Sequence, residues 1–162
     1  MFPYTFTHNG RSFTARIESD DSNDAPWDKC DGHGPVRQVL THYSYSAGRY
    51  VAHGKRPGER ILHVDGRTAW LYDWQAAAQQ ARREGWGPTL DEALGADFAR
   101  LRGWLDGDWW YVGVIVSADD GESEPESLWG IESDSGDYLE EVAHELAAQH
   151  PAPYVHVLGA AC

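Results

Sequence analysis

Apolar and polar positions divide the chain into short β-prone runs and three amphipathic helical stretches. Tyr4–Thr7 and Ser12–Glu18, anchored by Phe6, Phe13 and Ile17, flank Asn9-Gly10. A type I′ turn needs positive φ at both central residues, which Asn-Gly tolerates, so this pattern predicts a hairpin. Ile61–Val64 and Thr68–Tyr72 repeat the pattern around Asp65-Gly66, with the same turn type expected. Residues 20–36 are dense in Asp, Gly and Pro and read as a long loop with Trp27 packed inward. Residues 36–51 are aromatic and ambiguous, with strand as one reading, and residues 53–60 form a basic turn.

The later part of the chain turns helical. Asp73 is placed to cap a helix over 74–84, with Gly85 to close it. Trp74, Ala77, Ala78 and Ala81 share one face there. Thr89 and Glu92 have capping-box spacing for a second helix over 90–105, whose buried stripe is Leu94, Phe98, Leu101 and Leu105. Trp109–Ser117 is apolar on both faces and predicts a central strand. An acidic loop separates it from Ser127–Glu132, an expected antiparallel neighbour. Asp137 is the expected cap of a third helix ending near Gln149. Leu139, Val142, Ala143 and Leu146 face inward on it, while Glu140, Glu141, His144 and Glu145 face out. Tyr154–Leu158 reads as a short edge strand. The order ββ-loop-ββ-αα-ββ-α predicts a single α+β domain over 1–162, with three helices on a mostly antiparallel, hairpin-rich sheet.

Charge changes this picture. The 162 residues hold 26 Asp and Glu against 13 Lys and Arg, a net charge of -13. Every basic residue lies at or before Arg102, together with 13 of the acids, so residues 1–102 are neutral. Residues 103–162 hold the other 13 acids and no Lys or Arg. Such a balance excludes a general nucleic-acid binder and adhesion to an anionic membrane. Eight Trp and eight Tyr exclude a disordered acidic tail. Cys30 and Cys162 make a poor disulfide framework, so reduced thiols are expected. No signal peptide or membrane span is expected, which predicts a soluble, cytoplasmic protein.

Candidate chemistry is sparse. Cys30-x-x-His33 has the spacing of half a zinc site, and His42, His53 and His63 are distant candidates to complete it. Glu141-x-x-His144 is a single half of a di-iron pattern, and His144-Glu145 lacks the second histidine of H-E-x-x-H because position 148 is Ala. Asp119, Asp120, Glu122, Glu124 and Glu126 fit no EF-hand register. Walker, G-x-S-x-G and G-x-G-x-x-G motifs are missing, which tilts the reading away from an enzyme. Lys55, Arg56, Arg60, Arg82, Arg83, Arg100 and Arg102 are expected to balance the acidic third, with a small anion site as the other reading. Any exposed Trp is a candidate interface anchor.

The stretches APWDKCDGHGPV (25–36), KRPGERIL (55–62), YDWQAAAQQARREGW (72–86), ADFARLRGW (96–104), WWYVGVIV (109–116), SLWGIES (127–133) and YLEEVAHELA (138–147) carry a resemblance. The chain resembles a family of short, acidic, uncharacterised tailed-phage and prophage proteins. The resemblance implies expression in a bacterial cytoplasm and carries no catalytic residues with it. The leading expectation is a non-enzymatic interaction protein that inhibits a host defence or nucleic-acid-handling protein, of anti-CRISPR or anti-restriction type. It would present an acidic, nucleic-acid-mimicking surface to a host protein with a basic groove, without binding nucleic acid or membrane itself. The expected contacts are Asp119, Asp120, Glu122, Glu124, Glu126, Glu140, Glu141 and Glu145. No cofactor is expected. One alternative is a metal-binding protein or hydrolase centred on Asp28, Cys30, Asp31 and His33. Another is a structural or regulatory phage protein that binds a phage partner.

Overall fold

The structure, a computed structural model, describes residues 2–22, 24–29 and 32–151. Cys30, Asp31, Cys162 and the expected 154–158 strand lie outside the described residues. The fold is α+β, with two antiparallel four-stranded sheets rather than one. The residues fall into two compact units: Met1–Ser22 with Trp110–Cys162, and Asn23–Trp109.

The first unit starts with the expected hairpin. Strands β1 (Tyr4–His8) and β2 (Arg11–Ser19) pair antiparallel. Asn9 and Gly10 have φ of 50° and 77°, as a type I′ turn requires. Strand β7 (Tyr111–Ala118) lies between β2 and β8 (Glu126–Glu132), in the order β1-β2-β7-β8. Residues Tyr111–Val116 are all buried, which explains a run that is apolar on both faces. Helix α4 (Tyr138–Gln149) lays Leu139, Val142, Ala143 and Leu146 onto Phe13, Ala15, Val112, Val114 and Val116. A bulge interrupts the β7–β8 register at Gly113. A Cβ on Gly113 would lie 2.3 Å from Cε3 of Trp129, so the indole rests directly on bare backbone. Asp137 does not act as the expected cap: its side chain makes no capping hydrogen bond and its backbone is already helical.

The second unit holds α1 (Pro26–Lys29), a single turn inside the expected loop, with Trp27 edge-on to Trp104. The ambiguous 36–51 stretch is a hairpin, β3 (Val36–Ser44) and β4 (Arg49–Ala52). Strands β5 (Glu59–Asp65) and β6 (Thr68–Asp73) complete the order β4-β3-β6-β5. Asp65 pairs with Thr68, so the loop is Gly66-Arg67, and only Gly66 has positive φ, at 49°. That is the type II′ pattern, a correction to the expected I′ turn. The one-residue register shift lets Leu62 turn inward while its neighbour Ile61 stays exposed.

Helix α2 (Trp74–Glu84) begins as expected, with the Asp73 carboxylate accepting from the Ala76 N–H at 2.9 Å. It ends at Gly85, which is left-handed at φ 74°. Helix α3 (Leu90–Asp106) starts at Thr89, whose Oγ1 accepts from the Glu92 N–H and donates to the Glu92 carboxylate. Leu62, Tyr72, Ala77, Ala81, Leu94 and Leu101 form the buried core of this unit, with Phe98 and Leu105 half-buried against it.

Candidate functional site

The charge asymmetry sharpens once residues are assigned to units. The Met1–Ser22/Trp110–Cys162 unit holds 14 acidic residues and two basic ones, Arg11 and Arg16. The Asn23–Trp109 unit holds 12 acidic and 11 basic residues and is close to neutral. Both arginines of the acidic unit already have partners in it. Arg16 pairs with Glu18 at 2.8 Å and Arg11 with Asp120 at 2.6 Å.

The expected contact residues fall into three groups. Asp119 and Asp120 are structural. Asp119 accepts from the hydroxyls of Ser12 (2.5 Å) and Thr14 (2.7 Å), which lowers its pKa. Asp120 accepts from Arg11 Nε and Nη2 and from the Glu122 N–H. The Arg11 bond is the largest reason that the Asp120 pKa falls to about 2. Glu122 and Glu124 are exposed on the loop, and Glu126 opens β8 half-buried. Glu140, Glu141 and Glu145 are exposed on the outer side of α4.

The loop and the helix meet at one end only. Arg11 Nη1 donates to the Pro151 carbonyl at 2.6 Å, and Ser123 Oγ hydrogen-bonds His150 Nδ1 at 2.9 Å. The loop therefore sits by the C-terminal end of α4. Glu140 and Glu141 stand about 15 Å away along the helix axis, at 1.5 Å per residue. Glu145, one turn closer, is the helix acid nearest the loop. The expected contacts are therefore spread along the length of α4.

Trp110 and Trp129 are 50% and 45% exposed, which makes them the exposed tryptophans the interface argument asks for. Three of the cations expected to balance residues 103–162 have local partners. Arg83 pairs with Glu84, Arg102 donates to the Leu62 carbonyl, and Arg60 stacks on Trp74. These partners are local because short-range contacts within one packed unit outweigh distant charge.

A second constellation lies in the near-neutral unit. Asp97 on α3 is only 8% exposed and accepts three hydrogen bonds. The donors are Tyr72 Oη at 2.7 Å, the Gly34 N–H at 2.8 Å and His33 Nδ1 at 2.6 Å. Burial, then the Asp97 carboxylate, pushes the Tyr72 pKa far up, so its hydroxyl stays a donor. Facing a carboxylate, His33 Nδ1 is the donor of that bond, which fixes the orientation of the ring. His33 lines an open cleft with Trp86, Gly87, Ala93 and Ala96. Sequence reasoning missed Asp97. Its signal was a carboxylate three residues after Leu94 and four before Leu101, on the buried stripe.

His33 is the described part of the expected Cys30–His33 pair. Among the described residues, no group of three or more His, Cys, Asp and Glu is arranged to hold a metal ion. No described helix is long and apolar enough to cross a membrane. Compared with known proteins, the chain matches no family model, no curated protein and no solved structure.

Proposed function

We propose that the protein is a non-enzymatic, phage-encoded interaction protein of the bacterial cytoplasm that inhibits a host defence or nucleic-acid-handling protein, of anti-CRISPR or anti-restriction type. It sets its acidic unit into the target's basic groove, where its carboxylates replace phosphates. The observation that carries this reading is the imbalance of 14 acidic to two basic residues in one unit, with both arginines already paired. Such a surface raises the rate of encounter with a basic partner and repels nucleic acid itself.

The geometry also narrows the contacts. In this reading the exposed Glu122, Glu124, Glu140, Glu141 and Glu145 carry the interaction. Asp119 and Asp120 hold the loop in shape. Changing Glu122, Glu124, Glu141 and Glu145 together to Lys is expected to weaken target inhibition by about 100-fold or more, with the unfolding midpoint nearly unchanged. Wild-type affinity should fall steeply with added salt. Inhibition that survives the fourfold reversal, or that ignores salt, sinks the reading.

One observation favours a second reading, a hydrolase or metal protein around residues 28–33. A histidine held by a buried carboxylate is the arrangement that positions a general base or a metal ligand. Turnover of a simple ester that disappears in His33→Ala and falls in Asp97→Asn would support it, as would stoichiometric zinc in chelator-free protein. An ester turned over no faster than in buffer, together with zinc-free protein, removes it.

A further inference from the structure

The Asn23–Trp109 unit carries a cleft of about 440 Å³ between β5 and one face of α2. Its size is within the range of small-ligand sites, about 300–1,000 Å³. Gln75, Ala78, Gln79 and Arg82 line it from the helix at i, i+3, i+4 and i+7, and Gly58 and Arg60 line it from the sheet side. The Arg60 guanidinium lies 3.3 Å from the centroid of the Trp74 ring. Stacking covers one flat face of the guanidinium and leaves its in-plane N–H donors pointing outward. Among the described residues, neither the Arg60 nor the Arg82 side chain makes an ion pair or a hydrogen bond.

That is unusual in a chain with twice as many acids as bases. One acid does line the cleft, Glu59, but it is already matched. Its two carboxylate oxygens accept from Arg37 at 2.5 and 2.8 Å, and the Arg56 N–H adds a third bond. The cleft is therefore left with two unneutralised guanidiniums, two side-chain amides and an apolar wall from Trp74 and Ala78.

We infer that this cleft binds a small phosphate-bearing molecule. Two guanidinium forks and the glutamine amides match a tetrahedral dianion, whose oxygens accept several hydrogen bonds at once. The apolar wall suits an organic part attached to the phosphate. A long polyanion is disfavoured, because a net charge of -13 repels it. The inference does not rest on the acidic-surface reading, since it uses a different unit and the opposite charge.

Calorimetry at low ionic strength on the whole protein tests it, with four probes: inorganic phosphate, a nucleoside monophosphate, the same nucleoside without phosphate and a short oligonucleotide. The monophosphate is expected to saturate at one per chain, and the bare nucleoside to bind at least tenfold more weakly. Arg60→Gln and Arg82→Gln should each weaken the monophosphate by tenfold or more. Arg60→Lys should also weaken it, because a lysine keeps the charge and loses the planar stack. Thermal midpoints measured without ligand should match the wild type, which separates lost binding from lost fold. Inorganic phosphate that binds as tightly as the monophosphate also supports the site and assigns its affinity to the anion. The inference is overturned if no phosphate probe gives saturable heat, if both glutamine variants bind like the wild type, or if an oligonucleotide binds more tightly than the monophosphate.

Discussion

Glu59 is buried on β5, and its carboxylate is gripped by Arg37. That bond, aided by the Arg56 N–H and opposed by burial, lowers the Glu59 pKa from 4.5 to about 2. A depressed carboxylate stabilises the fold above its unfolded pKa and loses this contribution as the pH falls through the folded value. Glu59→Gln should therefore be less stable than wild type near pH 7, and the gap should close as the pH drops from about 4.5 to about 2. Urea unfolding at both ends of that window checks it, and a gap that stays constant contradicts it. Gly34 shows a different constraint. A Cβ there would lie 2.5 Å from Tyr72 Oη and 2.6 Å from the Ala77 Cβ. Gly34→Ala should cost about 1–3 kcal/mol by overpacking and disturb the Asp97 network. Tyr4 is the reverse case, because its buried hydroxyl finds no partner among the described residues. Tyr4→Phe is expected to be neutral or stabilising in thermal unfolding, since removing an unsatisfied polar atom removes its desolvation cost.

Helix boundaries were legible wherever the local chemistry is self-contained. Asp73 caps α2, Gly85 ends it and Thr89 starts α3, because each acts on backbone groups three or four residues away. Asp137 has the same residue type in the same place and makes no capping bond. Asp73→Ala should cost about 1 kcal/mol. Asp137→Ala should cost only a few tenths of a kcal/mol, from the helix dipole. Chemical denaturation of the two variants checks the contrast, and equal losses would contradict it. The β3–β4 hairpin escaped the sequence because its turn lacks a strong Asn-Gly or Asp-Gly signal. The Asp65-Gly66 pair did signal a turn, yet pairing of Asp65 with Thr68 moved the loop one residue on and changed its type. Register of that kind is set by which side chains the sheet buries, not by the dipeptide.

At the scale of the molecule, the acidic unit should carry most of the self-repulsion. Raising salt from about 10 mM to about 0.5 M shortens the screening length to a few ångströms. Amide exchange in β7 and α4 should slow more than exchange in α3 over that change, and equal slowing would place the repulsion elsewhere. The α+β class, the two named hairpins, the three long helices and their buried faces followed from the sequence, because periodicity and capping are local properties of the chain. The acidic excess was also legible, since charge counts need no coordinates. Tertiary structure alone decided the rest. It split the strands between two sheets, and it separated the expected carboxylates into the tied Asp119 and Asp120, the half-buried Glu126 and the exposed Glu122, Glu124, Glu140, Glu141 and Glu145. It also joined His33 to Asp97 across 64 residues and placed Arg60 over Trp74 beside Arg82. The physical reason is the same in each case. Which groups meet depends on strand order and helix packing, and these are fixed by the summed burial of many residues rather than by the neighbours of any one.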